Sequence, residues 1–113
     1  IRNRPALRAR DLTATMAKQR VRLVGLPITR KDVNAITKDK NDPTRTHVED
    51  MAFVTIEDET GLLETTWFPA VYRRHAVLLE RGEPLLIGGV IDVDYGVVSL
   101  IVHSCAVCAT PLG

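Results

Sequence analysis

Residues Met51–Pro69 read MAFVTIEDETGLLETTWFP, and the alternation within this stretch decides the fold. Ala52, Val54 and Ile56 point to one side of an extended chain, and Phe53, Thr55 and Glu57 to the other. After the polar turn Asp58-Glu59-Thr60-Gly61 the pattern resumes. Leu63, Thr65 and Trp67 share one face, and Glu64, Thr66 and Phe68 the opposite one. The stretch predicts a β-hairpin with one buried face and one face left for another purpose.

Working outward from the hairpin, Arg20–Ile28 alternates as a strand, with Val21, Leu23 and Gly25 on one side and Arg20, Arg22 and Val24 on the other. Pro27 has no amide hydrogen to give a sheet, so it belongs at an edge or a bend. Thr29–Asp50 is polar; its first part could prolong the strand, and Lys38–Glu49 reads as a long exposed loop with a turn at Asn41-Asp42-Pro43. Downstream, Pro69 suits the first turn of a helix over Ala70–Arg81, which Gly82 stops. Phe68 and Tyr72 are expected to anchor that helix, and Trp67 to lie in the core. Pro84–Asp94 is an apolar strand in which Gly88-Gly89 predicts a bend, a bulge or a close backbone approach. Asp94-Tyr95-Gly96 turns tightly into a last β-branched strand, Val97–Val107.

Five strands with one helix between the third and fourth is the order of an OB-fold, a small all-β Greek-key barrel. The expected organisation is a linker and short helical extension over 1–18, with helical character in Leu7–Gln19, then the barrel over 19–108 and a tail over 109–113. The chain starts at Ile1 without an initiator Met and is read as a fragment of a longer protein or a processed product. Its 113 residues allow one compact core. No apolar run reaches the ~18–20 residues of a membrane span, no signal-peptide core follows the basic start, and two cysteines are too few for a disulfide framework. A cytoplasmic setting with no membrane partner is therefore expected.

The net charge of +1 conceals an asymmetry. Residues 1–47 hold twelve Lys/Arg against four Asp/Glu, a net +8, and residues 48–113 hold three against ten, a net −7. Such a basic half attracts phosphates, or the two halves neutralise each other in the fold.

Several segments resemble the OB domain in the C-terminal region of bacterial DNA polymerase III alpha subunits, of replicative or error-prone type. They are Arg22-Leu23-Val24-Gly25-Leu26, Phe53–Gly61 with Glu64, Phe68-Pro69 with Val71-Tyr72, and Arg81–Gly89. The likeness covers roughly Gln19 to Val107. The loop after the first strand is longer and more acidic than in that family, and His103–Cys108 lies outside its pattern. The hairpin is also similar to the anticodon-binding domains of class II aminoacyl-tRNA synthetases, in which the aromatic at the position of Phe53 stacks on an anticodon base. The resemblance implies an accessory module that binds single-stranded DNA in replication, with catalysis elsewhere in a parent DNA-directed DNA polymerase. Two rival readings are a docking module for other polymerase domains or replisome subunits and a tRNA anticodon-binding domain.

OB-fold ligands lie across strands two and three, between the first–second and fourth–fifth loops. The candidate nucleic-acid-binding residues there are Phe53, Thr55 and Thr66, with Arg20 and Arg22 expected nearby to position the backbone. Arg30, Lys31, Lys38, Lys40 and Arg45 would form an electrostatic rim. Phe53 is a stacking platform or a cover for a neighbouring strand or domain. Arg20 and Arg22 are phosphate contacts or partners of Glu57 and Glu64. The two carboxylates predict weak, strongly salt-dependent binding. His103, Cys105 and Cys108 form a lone CxxC with a histidine but no apparent fourth ligand, so reduced thiols are expected and no metal or other cofactor. No catalytic constellation is recognised.

Overall fold

A computed structural model describes residues 6–108; the expected linker start at Ile1–Pro5 and tail over 109–113 lie outside the described residues. The strands are β1 (Arg20–Lys38), β2 (Thr46–Asp58), β3 (Gly61–Trp67), β4 (Leu85–Asp94) and β5 (Val97–Val107), with helix α1 (Pro69–Leu79) between β3 and β4. They close into a barrel in the order β1-β2-β3-β5-β4, with β1 returning to β4. Every strand pair is antiparallel except β3 with β5. This is the predicted five-stranded OB barrel.

The inward residues of the hairpin, Val54, Ile56, Leu63 and Trp67, meet Leu23, Leu85, Ile87, Ile91, Leu100 and Val102 in one core. Thr65 lies among them with its hydrogen bonds made. Its hydroxyl donates to the Val54 carbonyl at 2.7 Å, and Trp67 Nε1 donates to the same oxygen at 2.8 Å. Tyr72 on α1 is buried, and its hydroxyl donates to Asp32 Oδ1 at 2.6 Å. Burial, reinforced by that bond, pushes the phenol up to about 12. Phe68, expected as a second anchor, is instead 47% exposed at the helix N-cap.

Barrel closure depends on β1 changing partners. Arg20–Gly25 pairs with β4, and from Leu26 onward the strand pairs with β2. A side chain at Gly25 would bring its Cβ within 2.5 Å of Ile56 Cγ2 and 2.8 Å of the Glu57 carbonyl oxygen, so the crossing needs a residue without one. The β1–β2 register then shifts between Pro27 and Thr29, where the missing proline amide removes a ladder bond. On β4 the register shifts between Gly88 and Gly89, the bulge anticipated for that pair.

Two segments differ from the sequence reading. The segment Lys38–Glu49 is a loop only in part: Lys38 and residues 46–49 belong to a two-stranded ribbon, because β1 and β2 stay paired out to Lys38 and Thr46. Only residues 39–45 turn. There Asp39 and Asp42 carboxylates accept the amides of Asn41 and Thr44 at 2.8 and 3.0 Å. Consistent with this projection, the radius of gyration is 15.0 Å, above the ~13 Å usual for a compact chain of this length. The N-terminal extension is not a regular helix. It forms two 3-10 turns, Ala9–Asp11 and Ala14–Met16, strapped along the barrel. Leu12 enters the core, and the Leu7 amide donates to the Arg22 carbonyl. The β-branched Thr13 and Thr15 favour this course over helix.

Candidate nucleic-acid interface

Residues directly opposite in a sheet share a face, so the registers define the outer surface row by row. One row runs Lys31–Phe53–Thr66–Ile101 across β1, β2, β3 and β5. The next runs Thr29–Thr55–Glu64–Ser99. Phe53 is 43% exposed at the centre of this surface, beside a lysine. Met51, two residues before it and opposite Val33, is only 8% exposed yet stands outside the core cluster, so it extends the apolar ground beneath the platform. Sequence reading did not single it out, although it alternates in step with Phe53 and Thr55.

Thr55 and Glu64 are occupied with each other: the hydroxyl lies 3.0 and 2.9 Å from the two carboxylate oxygens. That pairing holds a negative charge on the face and takes the hydroxyl's proton away from a ligand.

The cations are spread more widely than expected. Lys31 alone of them stands directly beside Phe53 in its row. Arg30 turns to α1 instead, forming an ion pair with Glu80 at 2.7 Å and a longer one with Asp32 at 3.7 Å. The Glu80 bond raises its pKa against the opposing effect of burial. Lys38, Lys40 and Arg45 sit at the far end of the ribbon, with Lys38 about 23 Å along the strand from Lys31 at ~3.3 Å per residue. Arg20 and Arg22 are opposite Val90 and Gly88 on β4. From Phe53 the path to Arg20 crosses Thr66, Ile101 and Val90, four strand steps or about 20 Å at ~4.8 Å each. The expectation that these arginines flank Phe53 is therefore corrected. The partner exchange at Gly25 carries them around the barrel.

Over residues 33–107 the sequence matches the tRNA_anti-codon family, described as OB-fold nucleic acid binding domain. The chain belongs to that family. No curated protein sequence matches it. Among solved structures, this OB domain is similar to asparaginyl-tRNA synthetase from Pyrococcus horikoshii, with a TM-score of 0.60 and 16% identity over 92% of the chain. The chain spans only 22% of that synthetase. It is also similar to the second OB-fold domain of replication protein A from Methanococcus maripaludis, with a TM-score of 0.59 and 12% identity, covering 96% of this chain and 100% of that one. At these identities the likeness shows the shared fold.

Besides Phe53 and Phe68, the OB domain carries a further exposed aromatic that the sequence reading passed over. Tyr95 is 99% exposed at the β4–β5 turn, where it and Gly96 adopt positive φ of 50° and 79°. Such a turn favours Asn, Asp or Gly at that position, so a tyrosine there is not explained by turn chemistry, and that was the available signal. At the end of β5, Cys105 is buried and its thiol is pushed up to about 11 by burial; Cys108 is half-buried. Among the described residues no three His, Cys, Asp or Glu side chains are grouped to hold a metal ion. No helix among them is long and apolar enough to cross a membrane.

Proposed function

We propose that this OB domain is a non-catalytic module that binds single-stranded DNA across β2 and β3, within the C-terminal region of a DNA polymerase III alpha subunit. The observation that carries the binding reading is the row Lys31–Phe53–Thr66, an exposed aromatic with a cation on one side and a hydroxyl on the other. A base stacks on Phe53, and Lys31 neutralises an adjoining phosphate. Glu64, held by Thr55, and Glu57 oppose the backbone, so affinity is modest and falls steeply with salt. The polymerase setting rests on the sequence resemblance in Phe53–Gly61, Phe68-Pro69 and Arg81–Gly89.

A second reading, anticodon binding in tRNA, is favoured by the matched family and by the likeness to a synthetase. It uses the same platform with RNA in place of DNA.

Fluorescence anisotropy with labelled oligothymidylate at several salt concentrations tests the proposal. Phe53→Ala is expected to weaken binding ~5- to 150-fold, the equivalent of ~1–3 kcal/mol of stacking. Lys31→Ala should reduce the salt slope by ~0.7. Wild-type binding by both variants overturns the reading and favours a protein-docking role. A clear preference for an RNA anticodon stem-loop over DNA selects the second reading.

A further inference from the structure

Where β1 runs beside β4, the outer surface of the barrel is hollowed into a groove of about 390 Å³. Gln19, Arg20, Arg22, His103 and Ser104 supply its polar lining, Leu7 and Met16 an apolar wall, and no Asp or Glu among the described residues lines it. The groove exists because of the glycine bulge. Arg22 lies opposite Gly88, which in turn lies opposite Ser104. A Cβ on Gly88 would stand 2.6 Å from Ser104 Oγ and 3.7 Å from Arg22 Cγ, filling the floor between them.

Arg20 and Arg22 are successive outward residues of one strand, so their Cα atoms are ~6–7 Å apart, near the repeat of an extended nucleic-acid backbone. Arg20 makes no ion pair with any described residue. Asp92, the acidic residue nearest in register on β4, lies two residues past Val90 and outside the groove. By contrast, the surface hollow at the β2–β3 turn is lined by Glu57, Asp58 and Glu59. The two hollows thus differ in sign, and only the former suits an anion.

We infer that this groove is a second phosphate-binding site, which takes the backbone of the strand after it has left the Phe53 face. The inference rests on the single-strand reading above. The connecting row Phe53–Thr66–Ile101–Val90–Arg20 contains no carboxylate and is about 20 Å long, or about three extended nucleotides. The guanidinium groups meet successive phosphates. His103 and Ser104 offer donors to the same oxygens, and Leu7 and Met16 cover a sugar or base face. The total footprint then falls within the ~4–16 nucleotides typical of one OB-fold.

Oligothymidylates of about four and about twelve nucleotides, at either end of the usual site size, separate the two surfaces. The proteins compared are wild type, Phe53→Ala, the double variant Arg20→Ala/Arg22→Ala, and Arg20→Lys/Arg22→Lys. The alanine double variant is expected to bind the longer oligomer about tenfold more weakly with a salt slope reduced by ~1.4, yet bind the shorter one as wild type does. The lysine pair should restore most of the loss, which separates charge from a folding defect. In NMR, inorganic phosphate should shift the His103 ring signals of wild type but not of the alanine double variant.

If the double variant binds the longer oligomer like wild type while Phe53→Ala is impaired, the front face stands and the groove proposal falls. If only Phe53→Ala is without effect, the groove stands and the front-face reading falls. A His103 response to a glutamate-rich peptide but not to phosphate would overturn the proposal in favour of an acidic protein partner.

Discussion

Thr65 occupies an unusual place for a hydroxyl, buried among the core residues, and its oxygen joins two partners. It holds the indole of Trp67 through one hydrogen bond and the backbone of the neighbouring strand through another. Thr65→Val keeps the shape and strands the buried indole N–H. We expect it to lower the unfolding free energy in urea by about 1–3 kcal/mol. Thr65→Ser keeps the oxygen and loses one methyl, for about 1 kcal/mol or less. Equal stability of the two variants would show that the hydrogen bonds contribute nothing net. The sequence placed Trp67 and Thr65 inside because they alternate with Leu63, whereas the bond between them depends on side-chain rotamers that alternation does not specify. Phe53 was legible for the same reason, as an aromatic on the polar side of an alternating strand. Tyr95 was not, because a turn carries no periodicity against which an odd residue stands out.

At the scale of elements, burial made the strands readable and its absence hid the ribbon. β3, β4, β5 and the barrel part of β2 each have an inward face whose apolar residues repeat every second position. The outer ribbon of β1 and β2 lies beyond the core; Ile36 and Val48, paired across it, are both exposed. No burial selects its residues, so Lys38 and residues 46–49 read as loop although they are paired, and the β1 side reads only as a possible prolongation of the strand. The N-terminal arm misled in the opposite direction. Leu7, Leu12 and Met16 are spaced as on a helix but reach the barrel one by one from a strap. The spacing of Arg20 and Arg22 correctly put them on one face, but which face depends on where β1 changes partners. That exchange and the β4 bulge depend on glycine, which gives a direct test. Gly25→Ala and Gly89→Ala should destabilise by at least the ~1–3 kcal/mol of a typical overpacked site, with Gly89 the worse because its new Cβ would overlap the Ile101 carbonyl oxygen. Gly82→Ala, at φ 70° but in open space, should cost about 1 kcal/mol. Thermal melts that rank Gly82→Ala as the most damaging would contradict this account of closure.

Across the whole molecule, the contrast between a basic first half and an acidic second half is partly resolved by folding. Arg8 pairs with Glu59 at 3.0 Å and Arg30 with Glu80 at 2.7 Å, each pair joining one half to the other. Both pairs are solvent-accessible, so they offset charge more than they add stability. Asp58 makes a stronger tie. Its carboxylate accepts the Ala9 amide at 2.6 Å, the Thr60 amide at 2.7 Å, the Thr60 hydroxyl at 2.6 Å and the Gly61 amide at 3.1 Å, fastening the arm to the β2–β3 turn. Burial alone would raise its pKa, but these bonds outweigh it and hold the carboxyl below the usual range. A depressed folded pKa means stability that is present above the ordinary aspartate range and is lost as pH falls through the folded value. Asp58→Ala should therefore be less stable than wild type near neutrality, change less with acidification below pH ~4, and show faster hydrogen exchange at the Ala9 amide. Urea titrations that give parallel pH profiles for the two proteins would remove this role. One pairing joins the two hairpins into the barrel. β3 and β5 meet in parallel over three residue pairs, Glu64 with Ser99, Thr65 with Leu100 and Thr66 with Ile101. The β2–β3 and β4–β5 hairpins can zip locally, whereas this seam must wait for the chain carrying α1 and β4 to close its loop, the slower kind of step. The seam thus forms after the two hairpins it joins, while the β1–β4 pairing closes a longer loop still. A strand laid along Phe53, Thr66 and Ile101 would cross it as a bolt crosses a door, so occupancy would lengthen the lifetime of the closed barrel.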